Sequence, residues 1–302
     1  MRHLQPIRTS AVVITMALLM MPVTTVAQTL ERIKSSGTLN IGFVPDQAPF
    51  SSAAAEGASG YSIELCQKVA EATKAKLRLR ELQVNFLSTT IQAGLEKASS
   101  GQIDLLCGAV TNTLKRREIV SFSMPIFNGG IGALMRLDAP PALVRVLNGE
   151  EAYSGPIWRA TIRQGLADHT YAVDAGTTTE AWVREKVAGL RVIATIVTVD
   201  DHEKGIEMVL NGEADAYFAD REVLREYVNR SERADELTIA DRQFTYEPLA
   251  LALARNNDDF RLVVDTTLSN IYHSDTFIDL YTRYFGKPSE FTLKLFKIYA
   301  RD

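Results

Sequence analysis

Thr111 and Arg116 stand five residues apart in the stretch Cys107-Gly108-Ala109-Val110-Thr111-Asn112-Thr113-Leu114-Lys115-Arg116. Small and hydroxyl residues beside a helix start expose backbone N–H groups. An arginine a few residues on grips a carboxylate through two parallel hydrogen bonds. Taken alone, such an arginine is more often a surface charge. Asp220, in Phe218-Ala219-Asp220, offers the opposite chemistry: a carboxylate able to receive an ammonium, or else an N-cap for the helix that follows. A third stretch, Asp174-Ala175-Gly176-Thr177-Thr178-Thr179-Glu180, reads as a helix N-terminus with free N–H donors and the hydroxyls of Thr177 and Thr178. That is an anion site, unless the threonines serve as caps alone. Together the three stretches supply donors for a carboxylate and an acceptor for an ammonium. A zwitterionic amino acid carries both groups.

The elements that must position these residues come in two matching sets. Gly94-Leu95-Glu96, Gly101 and Asp104 recur as Gly205-Ile206-Glu207, Gly212 and Asp215, at a constant offset of 111 residues. Each copy reads as the end of an amphipathic helix, a glycine turn and a short apolar strand. Strands are expected over Leu39–Val44, Leu79–Phe86 and Ile103–Cys107, with helices over 62–76 and Thr90–Ala98. The second set has strands Tyr171–Val173, Arg191–Val197 and Ala214–Phe218, and helices Thr178–Val187, Asp201–Leu210 and Arg221–Asn229. Alternating strands and helices predict a mostly parallel sheet covered by helices in each lobe. An apolar stretch, Pro248–Arg255, returns as a strand to the first lobe, and two helices follow over Asp258–His273 and Thr276–Phe285. The chain then crosses between lobes twice, near 128–131 and 244–247. Lobe one spans 28–127 plus 248–302, and lobe two spans 132–244. Two crossings make a hinge suited to closure.

Residues 1–27 read as a secretory signal peptide: Arg2 and Arg8, an apolar run from Ala11 to Met21, then Thr25-Val26-Ala27 at the cut. The run is too short to span a bilayer as an ordinary helix. Its removal takes two of the 33 basic residues and none of the 37 acidic ones, leaving a net charge of −6. A mildly acidic, mixed surface argues against nucleic acid as partner. Cys66 and Cys107 are the only cysteines, and in an exported chain they form one disulfide or stay as two buried thiols. Residues 137–165 fit the scheme less easily. They hold Pro140-Pro141, the apolar run Leu143–Leu147 and a helical stretch around Trp158, which with Ile162 forms either a decoration of lobe two or a partner surface.

The order and spacing of these motifs resemble the periplasmic polar amino-acid-binding proteins that feed ABC importers, the family-3 extracellular solute-binding proteins. Thr111, Arg116, Phe122 and Ser123, Gly60-Tyr61-Ser62, Gly176 to Glu180, and Asp220 carry the likeness, which covers almost the whole mature chain. The resemblance implies an α/β, two-lobed periplasmic binding protein fold (type II) with the ligand cleft between the lobes. It implies that Thr111, Arg116 and Thr178 hold the ligand α-carboxylate and that Asp220 takes the α-ammonium. Thr177, His202 and Phe50 join the expected ligand contacts. Cys107-Gly108 through Asn112, with Asp201-His202, is closest to the glutamate/aspartate branch. One position departs from that branch: Val44 stands where an arginine selects acidic ligands, so Lys115, Arg117 or His202 would have to replace it.

The function expected from the resemblance is periplasmic capture of a polar amino acid and its delivery to an inner-membrane ABC permease, by a monomer without cofactor or metal. Two other classes compete. A dehydratase on the same scaffold would need an acid/base, with His202 or Glu180 as candidates; the chain shows no Gly-x-Ser-x-Gly, no metal-spaced His/Cys cluster and no phosphate loop. A soluble sensor would deliver ligand to a membrane kinase.

Overall fold

The computed structural model describes residues 29–55, 57–150 and 165–301. The signal-peptide segment and the stretch around Trp158 and Ile162 lie outside the described residues. Ten strands make two open sheets. The first contains β1 (Thr38–Phe43), β5 (Gln83–Ser88), β6 (Leu105–Cys107), β7 (Val120–Gly129) and β13 (Glu247–Ala254), in the order β5-β1-β6-β13-β7. The second contains β8 (Ile131–Arg136), β9 (Thr170–Asp174), β10 (Thr195–Val199), β11 (Ala216–Asp220) and β12 (Leu237–Ile239), in the order β10-β9-β11-β8-β12. In each, three parallel strands are extended by an antiparallel pair. A small antiparallel sheet of β2 (Asp46–Gln47), β3 (Ser51–Ala54) and β4 (Gly57–Ser59) follows β1.

The sequence repeat has a structural cause. Asp104 accepts the backbone N–H of Asn40 at 2.8 Å, and Asp215 accepts that of Thr170 at 2.8 Å. Each aspartate therefore pins the strand it precedes to the first strand of its own lobe, β1 or β9. Gly101 and Gly212 end the preceding helices with φ of 76° and 74°, a left-handed turn that glycine adopts without steric cost.

The first core is aromatic. Phe50, Tyr61, Phe277 and Phe296 are all 2 % exposed or less, and Phe50 meets Phe127 edge-on at 5.1 Å. Helix Tyr61–Lys76 buries Ile63, Cys66, Val69 and Ala70 against this core. Cys66 and Cys107 are joined in a disulfide across 41 residues. A loop of that length gives about 4 kcal/mol by restricting the unfolded chain. Denaturant titration of the double variant Cys66→Ala/Cys107→Ala should show a loss of that order.

Between β7 and β8 stands Gly130, where the chain passes from one sheet to the other. The return segment lies alongside it: Ile131 N–H donates to Thr245 Oγ1 at 3.0 Å, and Gln243 Nε2 donates to Gly129 O at 3.0 Å. A Cβ on Gly130 would come within 1.9 Å of the Thr245 carbonyl oxygen, so the two crossing segments would have to separate. Gly130→Ala should cost about 1–3 kcal/mol by overpacking, seen as a lower thermal midpoint.

Some elements differ from expectation. The second strand starts at Gln83 rather than Leu79; Leu79 and Leu82 pack on the core without pairing in the sheet. Helices Thr29–Ser36 and Glu290–Tyr299 lie at the two ends of the described chain. Leu143 and Leu147 anchor a short helix, Pro141–Leu147, to the second core.

Candidate ligand-binding cleft

The carboxyl ends of β6, β9 and β11 converge on a cavity of about 40 Å³ between the two sheets. Ligands of open α/β sheets bind at such strand ends. Lobe one contributes Gln47, Thr111 and Arg116; lobe two contributes Asp174, Thr177, Thr178, His202 and Asp220; the crossing segments add Gly130 and Glu247.

Arg116 is placed by a one-turn helix, Leu114–Arg117, whose N-cap Thr113 accepts the Arg116 N–H at 3.1 Å. Its Nη1 donates to the Thr111 carbonyl oxygen at 2.9 Å. Burial lowers the pKa of the guanidinium, and the nearby Glu247 carboxylate raises it again; arginine stays charged regardless. Thr111 Oγ1 donates to Glu247 Oε2 at 2.9 Å and lies 3.4 Å from Thr178 Oγ1 of the opposite lobe. Thr178 Oγ1 also reaches Glu247 Oε2, at 3.4 Å. Glu247 thus accepts from the Thr111, Thr178 and Thr245 hydroxyls, while the Arg116 guanidinium feels its charge without bonding to it. Of the donor set the sequence suggested for a ligand carboxylate, the two threonine hydroxyls are here engaged by a side chain of the protein.

Asp220 ends β11 and does both things considered for it. It caps helix Arg221–Arg230 by accepting the Glu222 N–H at 2.9 Å, and it also lines the cleft. Gly130 N–H donates to it at 3.3 Å. Burial raises its pKa to about 7, against the pull of these N–H donors. Asp174, at the end of β9, is likewise pushed up to about 7, by burial first and then by the negative charges of Asp46, Asp201 and Asp200. An isolated carboxyl resists ionisation in such surroundings, and an arriving cation would relieve both.

His202 is 4 % exposed and lines the cleft. Its Nδ1 is 2.6 Å from Tyr217 Oη, and its backbone N–H donates to Asp46 of lobe one at 3.1 Å. Burial lowers its pKa, so the ring is neutral. Thr177 caps helix Thr178–Leu190 by accepting the Glu180 N–H at 3.2 Å, while Glu180 Oε2 accepts the Gly176 N–H at 2.8 Å. This capping box satisfies two donors, so the helix end is less free for an anion than its sequence suggested. Glu180 also bonds Arg184 and does not line the cleft.

The structure places Phe50 elsewhere: its ring is fully buried among core aromatics and does not reach the cavity. Val44 is 7 % exposed and borders a neighbouring cavity instead. Lys115 and Arg117 are exposed and line neither. Gln47 and Glu247 line the cleft without any sequence signal that marks them for it.

Residues 39–287 match the family described as bacterial extracellular solute-binding proteins, family 3. The chain belongs to that family. Among curated relatives of this family-3 protein is the L-glutamate/L-aspartate-binding protein of Pseudomonas aeruginosa, 27 % identical over 262 residues, covering 86 % of this chain and 80 % of the relative. Among solved structures, an ancestral amino acid-binding protein, a precursor of cyclohexadienyl dehydratase, aligns with a TM-score of 0.67 and 26 % identity, covering 85 % of this chain and 99 % of that one. A mutant of ArgBP from T. maritima has the same fold, with a TM-score of 0.68 at 21 % identity and coverage of 86 % and 100 %. Among the described residues of the solute-binding protein, no helix is long and apolar enough to cross a membrane.

Proposed function

We propose that this solute-binding protein captures an amino acid between its lobes in the periplasm and presents the closed form to an inner-membrane ABC permease. The observation that carries the reading is the split of the cleft chemistry. Thr111 and Arg116 come from one sheet, Thr178 and Asp220 from the other, and all four line one cavity. A ligand held by a carboxylate grip on one side and an ammonium acceptor on the other binds the closed state better than the open one. That difference in affinity is what drives closure. Gly130 and the paired segment 243–247 are the proposed hinge. The protein acts as a monomer, and its relatives' names describe binding and import.

Glu247 has a part in this reading. With no ligand carboxylate in place, it places a negative charge near Arg116 and keeps the two threonine hydroxyls engaged, and it yields those hydroxyls when ligand enters. A thermal-shift panel of the common L-amino acids tests the function. Stabilisation by one or a few of them is expected; stabilisation by none contradicts it.

Dehydration chemistry is the second reading, because two carboxyls near 7 face the cleft and such values suit general acid/base work. The candidates read from sequence have other engagements: His202 is held through Nδ1 by Tyr217, and Glu180 serves as a cap. Incubation with prephenate or arogenate should leave the absorbance unchanged.

A further inference from the structure

We propose that the ligand's side chain is cationic, a guanidinium or an ammonium on a long aliphatic stem. The inference rests on the amino-acid reading above and adds the class of side chain.

The first observation is the supply of positive charge. Arg116 is the single lysine or arginine lining the cleft among the described residues, and the α-carboxylate takes it. An acidic side chain would then need a second cation. Val44 stands where an arginine would select such a ligand. Of the candidate replacements, Arg117 donates through Nε to Asn112 at 2.7 Å on the exposed side, Lys115 is exposed, and His202 is held neutral by burial. A second ligand carboxylate would be buried unpaired, which folded proteins avoid.

The second observation is space. A cavity of about 590 Å³ adjoins the cleft and shares Ile91, Asp174 and Thr177 with it. Asp46, Asp174, Asp200 and Asp201 line it, with no lysine, arginine or histidine. A ligand whose α-groups sit between Arg116 and Asp220 has room there for a long side chain, ending among carboxylates.

The third is an open hydrogen-bonding position. His202 is 4 % exposed and bonds through Nδ1, while its Nε2 has no partner among the described residues. No enclosed side-chain nitrogen or oxygen among them lacks a partner, so Nε2 is accessible, and His202 lines the cleft beside Asp174. With Nδ1–H donating to Tyr217, Nε2 accepts an N–H of the ligand; with Tyr217 Oη–H donating to Nδ1, Nε2–H donates to a ligand oxygen, so this position adds a polar contact and the charge preference rests on the first two observations. Asp174 fits the same picture, since its carboxyl has no cationic partner and its proton is held by burial and by the other aspartates.

The test is calorimetry on the full mature chain, stripped of ligand by unfolding and refolding, with L-arginine, L-lysine, L-ornithine, L-glutamine, L-glutamate and L-aspartate. At least one cationic amino acid should bind about 100-fold tighter than glutamate or aspartate, the discrimination expected when a charged partner is matched rather than opposed. Asp174→Asn should weaken that ligand about tenfold or more and move glutamine by less than about threefold. Asp200→Asn, on the exposed rim, gives a milder loss of the same sign and covers the case in which the Asp174 variant does not fold. Tighter binding of glutamate, aspartate or glutamine than of every cationic amino acid overturns the inference and leaves the amino-acid reading standing. So does a cationic preference indifferent to both substitutions. Binding of no amino acid defeats the amino-acid reading itself.

Discussion

Arg116→Ala should reduce amino-acid affinity by about 3 kcal/mol, roughly 150-fold, with the fold intact. The half-buried guanidinium is the only fixed positive charge in the cleft among the described residues. Its loss leaves both the ligand carboxylate and Glu247 without a counter-charge. Arg116→Lys keeps the charge but not the planar fork, so it should recover part of the affinity and not all of it. Calorimetry of the two variants, with circular dichroism to check folding, separates the grip from a structural role. A merely structural arginine would lower the thermal midpoint and leave the ratio between Ala and Lys flat.

Asp220→Asn should weaken binding roughly 100-fold, yet leave the ligand-free protein as stable or more stable above pH 7. Asparagine also caps a helix well, so the start of helix Arg221–Arg230 survives. What changes is the charge. The folded state raises the Asp220 pKa from 3.8 to about 7, so the fold holds the proton more tightly than the unfolded chain does. Stability from this group is therefore present in full below about pH 4 and is lost as pH rises through 7. Ligand affinity runs the other way, because the α-ammonium needs the ionised carboxylate. Affinity should rise by up to about tenfold per pH unit between 5 and 7 for each carboxyl that must ionise, then level off. Asp174 lies in the same range, so Asp220→Asn should remove one proton from the slope and leave the other. Calorimetry in buffers of different ionisation enthalpy counts those protons directly.

Arg116 and Asp220 are both legible in the amino-acid sequence, and the reason is local. Thr111, Thr177, Thr178 and Asp220 sit at or just past the end of a short strand, with Arg116 in the short helix that follows one, and strand ends are what alternating apolar runs and glycine turns mark most clearly. The 111-residue echo survives for the same reason. Asp104 and Asp215 perform the same backbone anchoring in each lobe, so the same residue type is needed at the same distance from the glycine turn.

The residues that the sequence leaves illegible depend on distant parts of the chain. Glu247 meets Thr111 across 136 residues, through the register of β13 against β7, and no local pattern encodes that. Gln47 lies in a two-residue strand too short for any periodicity, and its Oε1 accepts the Ala109 N–H at 3.1 Å. Phe50 looks like a ligand contact only because of its neighbours in sequence. The loop after β1 instead carries its ring into the aromatic core, where burial of a large apolar surface outweighs contact with a polar cleft. The His202 ring sits under Tyr217 and Tyr227, at centroid distances of 6.0 Å each. Such burial comes from aromatic neighbours that are 15 and 25 residues away in the chain, which no local pattern around His202 marks.

The central claim is that one cleft reads both charged groups of an amino acid, one from each lobe. The most direct measurement is calorimetry of the ligand-stripped protein with L-lysine and L-arginine beside cadaverine and agmatine, the same molecules without the α-carboxylate. Tight binding of an amino acid, with a loss of about 100-fold or more for its decarboxylated partner, is the predicted result. An amine that binds as tightly as its amino acid would contradict the account.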